Sequence, residues 1–156
     1  MIDCNQILPN LYVGTCPQNL KDVQELKVRC GITAVLNLQS DQDLRDRRID
    51  WPTMEITYGK MGIVVRRMPM RDFDYDDQGE RLPDAVKTLA ELLESSHVVY
   101  LHCNAGLGRS PLVAMAYLHW CRNMSVQEVI RHVKTRRLCN PYEDLLLEVR
   151  PKSPPC

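Results

Sequence analysis

The chain predicts an α/β fold: one three-layer domain with a central, mostly parallel sheet flanked by helices. Three observations lead there. Short β-branched apolar runs alternate with longer stretches of helical periodicity. One such run, 98–102, passes through a glycine-rich turn straight into an apolar helix. No linker, repeat or shift of composition divides the 156 residues, so a single core is expected over 1–150, followed by a short tail at 151–156.

In chain order, residues 7–13 read as a strand interrupted at Pro9-Asn10. Residues 17–30 place Leu20, Val23, Leu26 and Cys30 on one helical face, and Gly31 supplies the left-handed stop. A buried strand follows at 32–38, an irregular helix at 51–60 and a further strand at 63–68. The next helix is expected over 82–95, with Pro83 in its first turn and Val86, Leu89, Leu92 and Leu93 turned inward. Strand 98–102 leads to helix 110–122, where Pro111 suits the opening turn. Ser125-x-x-Glu128 has the form of a capping box for helix 125–136, and Asn140-Pro141-Tyr142-Glu143 opens a last helix over 140–149 in the same way. The proline-rich tail is expected to fray.

Composition excludes several classes of function. Lys plus Arg balances Asp plus Glu at 20 each, which argues against a nucleic-acid partner. Arg66-Arg67 and Arg136-Arg137 read as solvated faces. No apolar run approaches the length of a membrane span, and Met1 is not followed by a signal or transit pattern. The seven cysteines show no metal spacing, so no metal site is expected, and an odd count favours a reducing compartment with most thiols as small buried hydrophobes. A monomer is expected.

The chemistry concentrates at Cys103-Asn104-Ala105-Gly106-Leu107-Gly108-Arg109-Ser110. Backbone N–H groups of such a loop form a nest for an anion, and the following helix adds its N-terminal dipole. Gly106 and Gly108 let the chain curl with positive φ and bring the backbone close to a ligand. Arg109 offers a planar fork that matches two phosphate oxygens. Cys103, at the focus of these partial charges, is favoured as a nucleophilic thiolate. Ser110 can donate a hydrogen bond to the sulfur when it leaves. Cys-x5-Arg is common by chance, so the weight falls on its setting: an apolar strand before it, glycines within it and Ser-Pro opening a helix after it. Phosphoryl transfer also needs a general acid, and Arg71-Asp72-Phe73-Asp74-Tyr75-Asp76-Asp77 offers four aspartates among which composition does not choose.

His102-Cys103-x5-Arg109-Ser110 resembles the signature of the cysteine-dependent dual-specificity phosphatases. The fuller loop is similar to that of their glucan-phosphatase branch, the laforin-like and plant starch-excess enzymes. Leu11 to Gln18, Leu36 to Asp41, Arg71 to Asp74 and Arg137 to Pro141 resemble further segments of that branch. The resemblance implies the cysteine phosphatase fold and a phosphate monoester hydrolase working through a cysteinyl-phosphate. Asp72 becomes the general acid, with Asp74 next, while Asp76 and Asp77 are read as loop residues before a Gln78-Gly79 turn. No metal or cofactor is implied, because Arg109 and the nest neutralise the phosphate. His102 tunes Cys103 and braces the loop. The implied partner is a phosphorylated starch-like glucan, gripped by Phe73, Tyr12 and Trp51, and the implied location is the chloroplast, otherwise the cytoplasm. Asp46-Arg47-Arg48 departs from the aromatics of that branch. The position where plastid relatives carry a second cysteine holds Asn37. The alternative substrates are phosphotyrosine and phosphoserine or phosphothreonine proteins, or phosphoinositides. A scaffold that has lost catalysis would lack Cys, Arg or acid, and all three are present.

Overall fold

The computed structural model describes residues 1–156. The chain opens with strand β1 (Cys4–Leu8), which turns at Pro9-Asn10 into β2 (Leu11–Gly14). The Pro9-Asn10 interruption is therefore a hairpin turn between two antiparallel strands. Helix α1 (Leu20–Cys30) starts at Asn19, whose side chain accepts from the Asp22 N–H, and ends at Gly31 with φ 67°. Val23 and Leu26 are buried, but Leu20 lies near the helix start and is 51% exposed.

Strand β3 (Ala34–Asn37) is followed by α2 (Asp41–Asp46), a short helix that hydrophobic periodicity does not reveal. It is held by a Ser40/Asp43 capping box, in which each side chain accepts from the other residue's N–H. Next come α3 (Trp51–Lys60), β4 (Val64–Arg67) and α4 (Tyr75–Glu94). Helix α4 begins well before the predicted residue 82. Asp74 caps it, Asp76 and Asp77 form its first turn, and Gly79 and Pro83 lie inside it. The small Gly79 is tolerated because a Cβ there would already approach Leu145 Cδ2 to 3.0 Å.

Strand β5 (Val99–His102) runs into α5 (Arg109–Cys121), and α6 (Val126–Lys134) is capped by the Ser125 hydroxyl, which accepts from the Glu128 N–H. The last helix, α7 (Leu145–Glu148), starts later than expected, with Asp144 at its N-cap and no side-chain cap bond. The tail adopts no regular element, yet it is tied back by a disulfide between Cys121 and Cys156 rather than fraying.

The sheet order is β1-β2-β5-β3-β4, parallel throughout except for the edge hairpin β1. Side chains alternate across it with the period of two that a strand imposes. Leu11, Val13, Leu36, Val99 and Leu101 face a core shared with α4 and α5. Val35 and Tyr100 face a second core with Val23, Leu26, Met54 and Tyr58 of α1 and α3. Each large side chain so buried contributes about 2 kcal/mol, and the central strand β5 is buried on both faces. The fold is thus the predicted three-layer α/β domain, and the carboxyl ends of β2, β5 and β3 converge on the loop after β5.

Candidate active site

His102 ends β5, and residues 103–108 curl into the first turn of α5. Gly106 has φ 68°, and a Cβ on it would sit 2.5 Å from the Gly14 carbonyl oxygen, so no other residue fits. Gly108 is different: its φ is −119°, and a Cβ there meets nothing within 4 Å. Positive φ is therefore needed at Gly106 alone, and Gly108 instead leaves its backbone open to approach.

Cys103 is buried and its Sγ lies 3.3 Å from Ser110 Oγ. Arg109 is 1% exposed. Its Nη1 donates to Asp43 Oδ2 at 2.6 Å and to the Met70 carbonyl at 2.9 Å. Nη2 lies 3.1 Å from Asp72 Oδ2, and the buried Nε has no protein partner. One side of the guanidinium is anchored; the Nε/Nη2 edge, which suits two phosphate oxygens, is held only by Asp72.

Of the four aspartates in the acidic segment, Asp72 is the one that reaches Arg109. Asp74 is occupied as the cap of α4, accepting from the Asp77 N–H. Asp77 is buried and accepts from the Arg71 N–H and Arg81 Nε. Burial would raise the Asp77 carboxyl, but those bonds and both arginine charges outweigh it and hold it below the usual carboxylate range. Asp76 is an exposed first-turn residue of α4. The expected loop role of Asp76 and Asp77 is thereby corrected: both belong to the helix start that positions the segment.

Asp43 is a site residue that the sequence reading misses. It binds Arg109 and also accepts from Asn104 Nδ2 at 2.9 Å. Burial works to raise its carboxyl, yet the bonds from Arg109, Ser40 and Asn104 hold it low. The available signal was Ser40-x-x-Asp43, a capping pattern with Asp in place of Glu. Gln39 Nε2 in turn donates to Asn104 Oδ1 at 2.8 Å, and Arg67 Nη2 donates to the Gln39 carbonyl.

His102 is fully buried. Its Nδ1 lies 2.9 Å from the Cys103 carbonyl, which makes Nδ1 the protonated nitrogen and leaves Nε2 without a partner. Burial, aided by the nearby Arg109 charge, lowers His102 to about 4, against the bond to the Cys103 carbonyl, so it is neutral at pH 7.

The three aromatics expected at the site are not placed alike. Phe73 adjoins Asp72, is 87% exposed and adopts φ 55°, a left-handed conformation rare for a bulky residue. Trp51 opens α3 and lies under the Arg67 guanidinium, 5.4 Å from its ring centroid, at the edge of the Gln39–Asn104 network. Tyr12 is set apart. It pairs in register with Tyr100 and packs on the second core beside Cys4 and Cys30, because strand alternation turns it to that face. Leu107 is 45% exposed at the loop's outer turn.

The family model for the dual specificity phosphatase catalytic domain matches residues 11–145. The chain belongs to the dual-specificity phosphatase family. Mouse laforin is 35% identical to this phosphatase domain, over 85% of the chain and 43% of its own length. The amyloplastic phosphoglucan phosphatase DSP4 of Castanea sativa is 34% identical over 93% of the chain and 39% of its own length. The chloroplastic phosphoglucan phosphatase LSF1 of Arabidopsis thaliana is 32% identical over 88% and 23%. The domain therefore spans less than half the length of these curated relatives. Among solved structures, Tk-PTP in its active form shares a TM-score of 0.74 at 25% identity, covering 93% of this chain and 91% of that one. PTPMT1 shares the fold at a TM-score of 0.74 and 21% identity, covering 94% and 90%.

Proposed function

We propose that this chain hydrolyses phosphate monoesters through a cysteinyl-phosphate and that its substrate is a phosphorylated, starch-like glucan. The single observation that supports the chemistry best is Arg109: buried, anchored through Nη1 by Asp43 and Met70, with its Nε/Nη2 edge beside Asp72 and its loop shared with Cys103. The substrate class rests on the phosphoglucan phosphatases among the relatives.

In the first step the Cys103 thiolate attacks phosphorus while Arg109 and the N–H groups of Asn104, Ala105, Gly106, Leu107 and Gly108 hold the equatorial oxygens. The phosphorus–oxygen bond to the sugar breaks as the Asp72 carboxylic acid gives its proton to the leaving oxygen. In the second step water attacks phosphorus, its proton passes to the Asp72 carboxylate, and the phosphorus–sulfur bond breaks. Ser110 Oγ, 3.3 Å from Sγ, donates a hydrogen bond to the departing thiolate. Phosphate is released and both Cys103 and Asp72 return to their starting protonation states.

Two surface features suit a sugar chain. Phe73 presents its ring to solvent beside the acid, and Trp51 stands on the Arg67 side of the loop. A polar groove of about 420 Å³ runs from Asn104 and Ala105 along Thr15, Gln18, Asp22 and Arg47. Plastid residence is proposed, supported by the chloroplastic and amyloplastic relatives, and the domain is proposed to act as a monomer.

The test is phosphate release from phosphorylated amylopectin, normalised to p-nitrophenyl phosphate, for wild type and Cys103→Ser. High relative release from glucan, abolished in the variant, is expected. Strong aryl hydrolysis with little glucan release would instead favour a protein or phosphoinositide substrate; mouse dual specificity protein phosphatase 2 is 28% identical to this chain.

A further inference from the structure

An anion nest works only if the peptide units of its loop turn their N–H groups inward, which requires every carbonyl to find a donor on the outside. The outward bonds can be followed residue by residue. The Cys103 carbonyl accepts from His102 Nδ1 at 2.9 Å, and that of Asn104 from the Cys16 N–H at 2.9 Å. Ala105 accepts from Arg137 Nη2 at 3.0 Å, and Gly106 from Arg137 Nε at 2.6 Å. Leu107 accepts from the Asn140 N–H at 2.7 Å, and Gly108 from the Leu112 N–H at 3.1 Å, within α5. Two adjacent carbonyls at the crown of the loop thus depend on one side chain.

Arg137 was expected on a solvated face beside Arg136, but it is 3% exposed. It is clamped at its far end as well, where Nη1 donates to Asn5 Oδ1 at 2.9 Å and both terminal nitrogens approach Asp3 at 3.4 Å. A Cβ on Gly106 would stand 2.7 Å from Nη2, so the guanidinium and the glycine are fitted to each other. Its charge also lies directly behind the nest.

We propose that Arg137 is a positioning residue for phosphoryl transfer: its fork binds the Ala105 and Gly106 carbonyls from outside and so aims the loop N–H groups at the phosphate. It touches no substrate and acts through the loop. This rests on the phosphatase reading above and deepens it. Lys keeps the charge but has no planar fork to serve two neighbouring carbonyls, so it is not an adequate substitute.

The experiment measures tungstate affinity by isothermal titration, together with kcat and KM for p-nitrophenyl phosphate, in wild type, Arg137→Met and Arg137→Lys. Folding is checked by circular dichroism and melting. Tungstate binding is expected to weaken at least tenfold in Arg137→Met, with kcat/KM down about 100-fold. Arg137→Lys should recover less than a third of the lost affinity on a logarithmic scale. If Arg137→Met does not fold, Asn5→Ala releases the far end of the fork and should weaken tungstate two- to fivefold. Tungstate affinity within twofold of wild type in Arg137→Met, or in Asn5→Ala where that is the folded variant, overturns the proposal. So does full restoration by Lys, or a kcat that merely tracks the folded fraction at unchanged affinity. Failure of wild type itself to bind tungstate or turn over the aryl ester overturns the phosphatase reading instead.

Discussion

Arg109 is a buried cation whose usefulness depends on being fixed before substrate arrives. Asp43 fixes it, and removing one partner of a buried pair leaves the other charge uncompensated. Asp43→Asn preserves shape and can keep the bond from Asn104 on its amide oxygen, but it removes the charge and turns an NH2 towards two donors, Arg109 Nη1 and the Ser40 N–H. A decrease in stability of about 3 kcal/mol is expected, measured by urea denaturation. With Nη1 held only by the Met70 carbonyl, the fork is less firmly aimed, and kcat/KM for an aryl phosphate should fall about 100-fold, a loss of positioning rather than of any reacting group. Wild-type kinetics in Asp43→Asn would remove Asp43 from the site. The contrast with Asp72 is instructive, since both carboxylates touch the same guanidinium. Asp43 holds the Nη1 side from within the structure, whereas Asp72 sits on the open Nε/Nη2 side with its side chain 35% exposed.

At the level of elements, α5 separates chemistry from tethering. Its first residues are Arg109 and Ser110, and its last, Cys121, is bonded to Cys156. A helix of 13 residues places these ends about 20 Å apart. Reducing that disulfide should therefore release the tail without disturbing the loop. In Cys156→Ser, kcat and KM are expected within twofold of wild type, while a lysine-directed protease should gain rapid access to Lys152. A parallel loss of activity would mean that the tail supports the site from a distance. Helix α4 illustrates the opposite arrangement, because its capped start at Asp74 and the buried Asp77 hold the backbone from which Asp72 projects.

For the whole molecule, the buried ionisable groups set the response to acid. His102 has an ordinary value of 6.5 and is lowered to about 4 by burial. Between these values the unfolded chain binds a proton that the folded chain refuses, so stability falls as pH drops from 6.5 towards 4, by a few kcal/mol at most. Asp43 and Asp77 are shifted downward, so their contribution is complete above the ordinary carboxylate value and is lost only as pH falls through their folded ones. Two acid limbs are expected in urea midpoints taken from pH 8 to 3. His102→Gln should flatten the upper limb and leave the lower one. A wild-type midpoint that stays level from pH 6.5 to 4.5 would contradict the burial of a neutral histidine.

Strands 32–38 and 98–102 and the loop with Cys103 and Arg109 were legible because a strand's apolar run, a glycine turn and a helix start are local signals. The three-layer fold followed from their alternation. Asp72 could be separated from its neighbours by resemblance, but its contact with Arg109 is a tertiary fact. The early start of α4 was hidden because Gly79 and Pro83 locally argue against a helix, and packing on Leu145 together with the Asp74 cap overrides them. The face that Tyr12 takes was hidden because a strand's two faces are equivalent until the layers above and below are known. Asp43 and Arg137 were invisible for the same kind of reason. A charged residue reads as solvated until its buried partners, brought in from distant parts of the chain, are seen around it. By itself the sequence determined the glycine-rich turn that carries Cys103 and Arg109 and the layered fold, whose signals lie within a few residues. Only the tertiary structure decided which carboxylate meets Arg109 and which arginine supports the loop, because such pairing depends on groups far apart in the chain.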